Sequence, residues 1–150
     1  MIKIRTNNAK AFIPSDGFTT IEQSKRVEAA GIDPDTADFV YFEPHKTNRP
    51  EFIDGDKKVS DMRKAIKSIG IQTTYNVIPC WSLGRLLKVM PTAVELEGQT
   101  VGTLQTLTVY PNTEVRYENG YDDLSFRSDS GLVECAVLAI ETLNKHKIKW

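Results

Sequence analysis

Two side chains in the run Pro79-Cys80-Trp81-Ser82 are of types that attack carbonyl and phosphoryl centres, the Cys80 thiol and the Ser82 hydroxyl. Either needs a base within hydrogen-bond reach and donors for the oxyanion that forms. The histidines are His45, in a charged segment, and His146, near the chain end, and neither shares a local signature with Cys80 or Ser82. No Gly-x-Ser-x-Gly elbow surrounds the serine. A structural reading accounts for each residue instead: Pro79 sets an extended approach, Ser82 caps a helix, and Trp81 packs over its first turn. No catalytic residue is therefore assigned. A small cysteine- or serine-dependent hydrolase centred on Cys80 and Ser82 stands as the alternative.

Asp33, Asp35 and Asp38 bring three carboxylates into six residues, a density that suits a hard cation. The further oxygen ligands and the closing glutamate of a calcium loop are missing at the required spacing, so a turn is expected. Two histidines and two dispersed cysteines do not make a zinc site. No metal and no cofactor is assigned, and no phosphate-binding glycine loop is present.

Binding residues are a separate matter. Trp81, Gly84 and Arg85 share the first turn of the helix that follows Ser82, and Gly84 would let another backbone approach closely. Arg116, Tyr117, Tyr121 and Arg127 surround a hairpin, and arginine with tyrosine is the composition of binding hot spots as well as of solvated sheet faces. Strand alternation points some of them away from the core. Arg63, Lys64 and Lys67 form a basic helix face that would serve a nucleic-acid partner.

These residues need elements to hold them. Ile2 and Ile4 alternate with charges as a short strand would. Thr20-Ile21-Glu22-Gln23 has the form of a capping box, predicting a helix from about Ile21 to Ala30 that stops at Gly31. Phe39 to Phe42 reads as a strand, and residues 43–58 as a loop. Met62, Ala65, Ile66 and Ile69 mark an amphipathic helix over Val59 to Ile69. Leu83, Leu86, Leu87 and Met90 mark another, stopped by Pro91. Val94 to Gly98 is a short strand or a turn. Val101 to Tyr110 is a strand, and Thr113–Glu118 and Tyr121–Arg127 flank Asn119-Gly120, a strong hairpin signal. Asp129 or Ser130 would cap a last helix whose core face is Leu132, Cys135 or Ala136, Ala139, Ile140 and Leu143. The expected fold is a single α+β domain over 1–150. It has an antiparallel sheet of three to five strands with helices packed mainly on one face, and a helix-strand-strand-strand-helix C-terminal half.

A chain of 150 residues suits one domain, burying about two-thirds of its unfolded surface. A net charge of −1 gives no general attraction to nucleic acid or membrane, so nucleic acid is an unlikely partner. Apolar runs fall far short of the roughly 20 residues of a membrane span. The start has no apolar core of a signal peptide. Cys80 and Cys135, without CxxC spacing, read as reduced core thiols of a cytoplasmic protein.

Three stretches taken together carry a resemblance: Thr20-Ile21-Glu22-Gln23-Ser24-Lys25, Asp35-Thr36-Ala37-Asp38 and Ile78-Pro79-Cys80-Trp81-Ser82-Leu83-Gly84. The chain resembles small proteins of unknown function encoded by phages and integrated mobile elements of gut Bacteroidales. These share the pattern TxEQSK, DTAD, IPxWSLGxLL and end in strands and a helix with an acidic residue and alanine near its start, here Glu134 and Ala136. The resemblance spans most of the chain outside residues 43–75. It implies a cytoplasmic, element-encoded accessory protein and brings no activity or site residue. The expected function is non-enzymatic binding of a host protein or small ligand, with a homodimer open. A second alternative is a nucleic-acid module, since helix-strand-strand-strand-helix is also the order of the double-stranded RNA-binding domain. Against it, Asp129-Ser130-Gly131-Leu132-Val133-Glu134 is acidic and apolar where that module is basic.

Overall fold

The computed structural model describes residues 17–43, 49–69, 76–95, 104–110, 114–118, 120 and 123–147. Helix α1 (Ile21–Ala29) opens on the expected capping box: the Thr20 hydroxyl accepts the Gln23 N–H at 3.2 Å, and Gln23 Oε1 accepts the Thr20 N–H at 2.9 Å. These bonds satisfy two donors that every helix start leaves open. Gly31, at φ +95°, takes the chain out of the helix. A 3-10 turn, Pro34–Thr36, leads into β1 (Phe39–Glu43), which pairs antiparallel with β2 (Glu51–Phe52) and β3 (Asn76–Cys80) in the order β2-β1-β3. Helix α2 (Val59–Ser68) falls between β2 and β3 in the chain.

Two of these elements depart from expectation. β2 lies inside the stretch read as a loop, and β3 is a strand where only an extended approach was read. Pro79 obscured it: proline cannot donate to a ladder and argues against a central strand, but β3 is an edge strand, where that loss is tolerated. The strand expected at Ile2 and Ile4 lies outside the described residues.

The second half follows its pattern closely. Helix α3 (Leu83–Val89) precedes β4 (Ala93–Val94), β5 (Gln105–Tyr110), β6 (Glu114–Glu118) and β7 (Asp123–Arg127), and α4 (Leu132–Lys145) ends the order. The four strands form an antiparallel sheet β4-β5-β6-β7. Gly120 has φ +88°, as the Asn-Gly signal called for, but the register pairs Glu118 with Asp123, so the connection is longer than the two residues of the turn expected there. The cap of α4 is Gly131, at φ +100°, and no side chain bonds there, so neither Asp129 nor Ser130 plays that part. The α+β class holds, and among the described residues the strands divide between two sheets.

Alternation sorts the second sheet into faces. Leu107, Val115, Tyr117, Leu124 and Phe126 point into the core, and Thr106, Glu118, Asp123, Ser125 and Arg127 point out of it. α4 packs against β6 and β7 and buries seven residues, from Val133 to Leu143, more than the one stripe read from its spacing. It is a central helix, and each fully buried Val, Leu or Ile contributes roughly 1.5–3 kcal/mol of transfer energy. α1 is tied to it by Arg26, whose guanidinium bonds Glu134 at 2.8 Å and also Glu141, while Gln23 Nε2 donates to Glu134 at 2.7 Å. Glu134, noted in the resemblance, is therefore a structural partner of α1.

Candidate functional site

Residues 17–20 run beside the end of β3 and make the setting of Pro79-Cys80-Trp81-Ser82. Thr19 N–H donates to the Trp81 carbonyl at 2.9 Å, Trp81 N–H donates to the Thr19 hydroxyl at 3.1 Å, and Leu83 N–H donates to the Gly17 carbonyl at 3.0 Å. Thr19 is fully buried with every polar atom partnered, its hydroxyl sharing a 2.7 Å bond with Ser24 and its carbonyl accepting from Tyr41 and Cys80. A buried polar group without such partners would be costly. Trp81 has no exposed surface, and its indole N–H donates to Thr36 Oγ1 at 2.9 Å. It is a core residue and not the exposed binding residue considered from sequence.

The three carboxylates also have an account. Asp33 accepts the Asp35 N–H at 2.9 Å and caps the 3-10 turn. Asp35 takes the Ser60 N–H and hydroxyl at 2.8 and 2.7 Å at the start of α2. Asp38 takes the Ser82 N–H at 2.8 Å and the Ser82 hydroxyl at 2.5 Å at the start of α3. The segment Asp33–Asp38 is a bracket that satisfies two helix starts, where a negative charge is also favoured by the helix dipole. Ser60 bonding holds the Asp35 carboxyl below the usual carboxylate range. Among the described residues no cluster of three or more metal-binding side chains occurs.

Neither candidate nucleophile is prepared for attack. Cys80 is fully buried, its thiol donates to the Thr19 carbonyl at 3.3 Å, and burial pushes it up from 9.0 to about 11. A nucleophilic cysteine needs the opposite shift and access. Ser82 Oγ donates to Asp38 and accepts the Arg85 N–H at 3.2 Å, so its lone pair serves the cap. His146 ends α4 on the exposed surface, and His45 lies outside the described residues. Cys135 is buried as well, and neither cysteine is in a disulfide among the described residues.

What remains open to solvent near this region is the outer face of α3. Gly84, Arg85 and Lys88 are exposed, and an alanine methyl at position 84 would meet no atom within 4 Å. The close backbone approach expected at Gly84 is not made within the described residues. Arg85, Lys88, Lys57 and Lys58 line an open groove of about 620 Å³ together with Asp35, Asp38 and Asp56. None of these four cations lies within 4.0 Å of a carboxylate among the described residues, although the Lys58 charge helps hold Asp35 ionised. A second cleft, of about 340 Å³, is lined by Glu28 and Arg63, which bond each other at 2.6 and 2.8 Å. Arg63 also donates twice to the Val77 carbonyl on the free edge of β3. It is thus withdrawn from the basic face that Lys64 and Lys67 still present.

The hairpin residues separate by face. Tyr117 is fully buried, and its hydroxyl donates to the Pro91 carbonyl at 2.8 Å. Arg116 and Arg127 lie on the outer face, both bonded to Glu114, with the Arg116 guanidinium 4.8 Å over the Tyr110 ring. Arg116, Ser125 and Arg127 together hold the Glu114 carboxyl down from 4.5 to about 2. Most of this network is satisfied internally; Arg127 keeps 69% of its side chain exposed. Tyr121 lies outside the described residues.

Sequence reasoning missed Thr19, the role of Asp38 at Ser82, and Gln105. The first two act across long sequence separations, and only the presence of Ser at the start of a helix hints that an acid must come from elsewhere. Gln105 is fully buried on β5, and among the described residues neither amide atom has a hydrogen-bond partner. Among the described residues no helix is long and apolar enough to cross a membrane. Compared with protein-family models, with curated proteins and with solved structures, the chain matches none.

Proposed function

We propose that the protein is a non-enzymatic binding protein that engages a host protein or small ligand through the outer face of α3 and the groove beside it. The phage or mobile-element origin implied by the resemblance belongs to the same proposal. The observation that carries it is the contrast around Ser82. Every group there that could do chemistry is committed to the fold, while Arg85 and Lys88 next to it stay exposed without ion pairs among the described residues. Lys57 and Lys58 line the same groove, and two of its three aspartates, Asp35 and Asp38, already accept from Ser60 and Ser82, so the groove suits an acidic group on its ligand. Gly84 leaves the first turn of α3 bare, so a ligand can reach its backbone.

The test compares tagged wild-type protein with the Arg85→Glu, Lys88→Glu double variant in host lysate, after circular dichroism has shown that both are folded. A protein or small molecule retained by the first and lost by the second supports the proposal. Identical retention by both would remove the groove from the function. The nucleic-acid reading through Arg63, Lys64 and Lys67 is weakened by the ion pair of Arg63, and a gel shift that persists at moderate salt would restore it.

A further inference from the structure

A strand at the edge of a sheet leaves a row of N–H and C=O groups without ladder partners, and proteins manage such edges by shortness, proline, lysine, bulges or cover. The described residues contain four edge strands. β2 and β4 are two residues long, and the free edge of β3 is capped at the Val77 carbonyl by Arg63. β7 is different. It is five residues long, pairs on one side with β6, and has no strand partner on the other among the described residues. Its sequence, Asp123-Leu124-Ser125-Phe126-Arg127, holds no proline, lysine or glycine. Asp123, Ser125 and Arg127 are exposed.

We propose that this edge pairs with the same edge of a second copy of the chain, antiparallel about a two-fold axis at Ser125. The charge pattern selects both the partner and the register. With Ser125 opposite Ser125 of the other copy, each Asp123 stands opposite an Arg127, twice by symmetry. All three residues already share the outer face, so the pleat of the two sheets agrees. Displacing the register by four positions in either direction sets Asp123 against Asp123 or Arg127 against Arg127, which repel. Odd displacements set outward residues against inward ones. Leu124 would face Phe126 on the core side, extending the apolar layer under α4. Arg127 has room for a second carboxylate, since one nitrogen bonds Glu114 and 69% of the side chain is exposed. The result is a continuous eight-stranded sheet, and it stands independently of the groove on α3.

Sedimentation velocity from micromolar to millimolar protein reads the association directly, with a monomer-to-dimer transition expected. Ser125→Cys reads the register. Directly opposed residues in an antiparallel pair have Cα atoms about 4.5–5.5 Å apart, inside the range a disulfide spans, so mild oxidation with glutathione disulfide should give a covalent dimer. The native thiols are buried and do not compete. Asp123→Arg and Arg127→Asp should each weaken self-association at least about tenfold, since each places two like-charged pairs face to face. Mixed together, these two variants should form a heterodimer with both pairs complementary, which misfolded protein would not do. A monomer throughout the concentration range overturns the proposal. So does a dimer that ignores both charge reversals and is not cross-linked through position 125.

Discussion

Replacing Asp38 with alanine tests whether the acidic segment is a bracket for helix starts or a site for a ligand. The change removes the acceptor of the Ser82 N–H at 2.8 Å and of the Ser82 hydroxyl at 2.5 Å. Hydrogen bonds to a charged acceptor are each worth about 1.5–3 kcal/mol when buried. Asp38 is half-buried and water can replace part of what is lost, so the expected destabilisation is about 2 kcal/mol in total. For a chain of this size that is about 4–8 °C of melting temperature, readily seen against a typical stability of about 5–15 kcal/mol. Ser82→Ala should cost about 1–2 kcal/mol, because it removes the cap on the Arg85 N–H as well. The two losses share the hydroxyl–carboxylate bond, so the double variant should fall short of additivity by about 1 kcal/mol. Urea unfolding followed by circular dichroism measures all four corners of this cycle. A loss below about 0.5 kcal/mol for Asp38→Ala, or strict additivity, would refute the bracket. A midpoint that rises with calcium in the wild type and not in Asp38→Ala would return the cation reading to consideration.

Three further outcomes are expected. With its pKa near 11 and no access to solvent, Cys80 should be about one part in 10⁴ thiolate at pH 7 and resist a thiol reagent until urea unfolds the protein; rapid labelling of the native protein at Cys80 would revive the cysteine nucleophile. Gln105→Met should raise stability by about 1–3 kcal/mol, because it removes a buried amide that has no partner among the described residues. A measured loss would mean that a bridging water holds the amide. Glu114 should make stability depend on acid pH: its folded value is depressed from 4.5 to about 2, so its contribution is present above about 4.5 and is lost as pH falls towards 2. The urea midpoint of Glu114→Gln should therefore vary less than that of the wild type between these values.

Much of the local architecture was legible because its causes are local. Thr20 and Gln23 lie three residues apart and cap α1 through each other, and Gly31 and Gly120 supply backbone angles that other residues resist. The stripe of Leu83, Leu86 and Met90 on α3 follows from helix periodicity, as does most of the buried face of α4. Other features needed partners distant in sequence. Asp35 and Asp38 read as carboxylates of one turn, and nothing local tells that Ser60 and Ser82 donate to them. Arg63, Lys64 and Lys67 read as one basic face, yet Glu28 and the edge of β3 claim the arginine.

Residue type and spacing by themselves determined all the described helices and most strands other than β2 and β3, the α+β class, and the lack of any local catalytic signature around Cys80 and Ser82. They did not determine which side of each element would be sealed. Arg116 and Tyr117 are neighbours with the same suitability for binding, and sheet alternation sends one to the Glu114 network and the other to the Pro91 carbonyl. Trp81 and Arg85 share one stretch, and only the approach of Thr36 and of residues 17–20 closes over the first while the second stays in solvent. The physical reason is that capping and periodicity act over one helical turn. Burial is set by surfaces that meet from opposite ends of the chain.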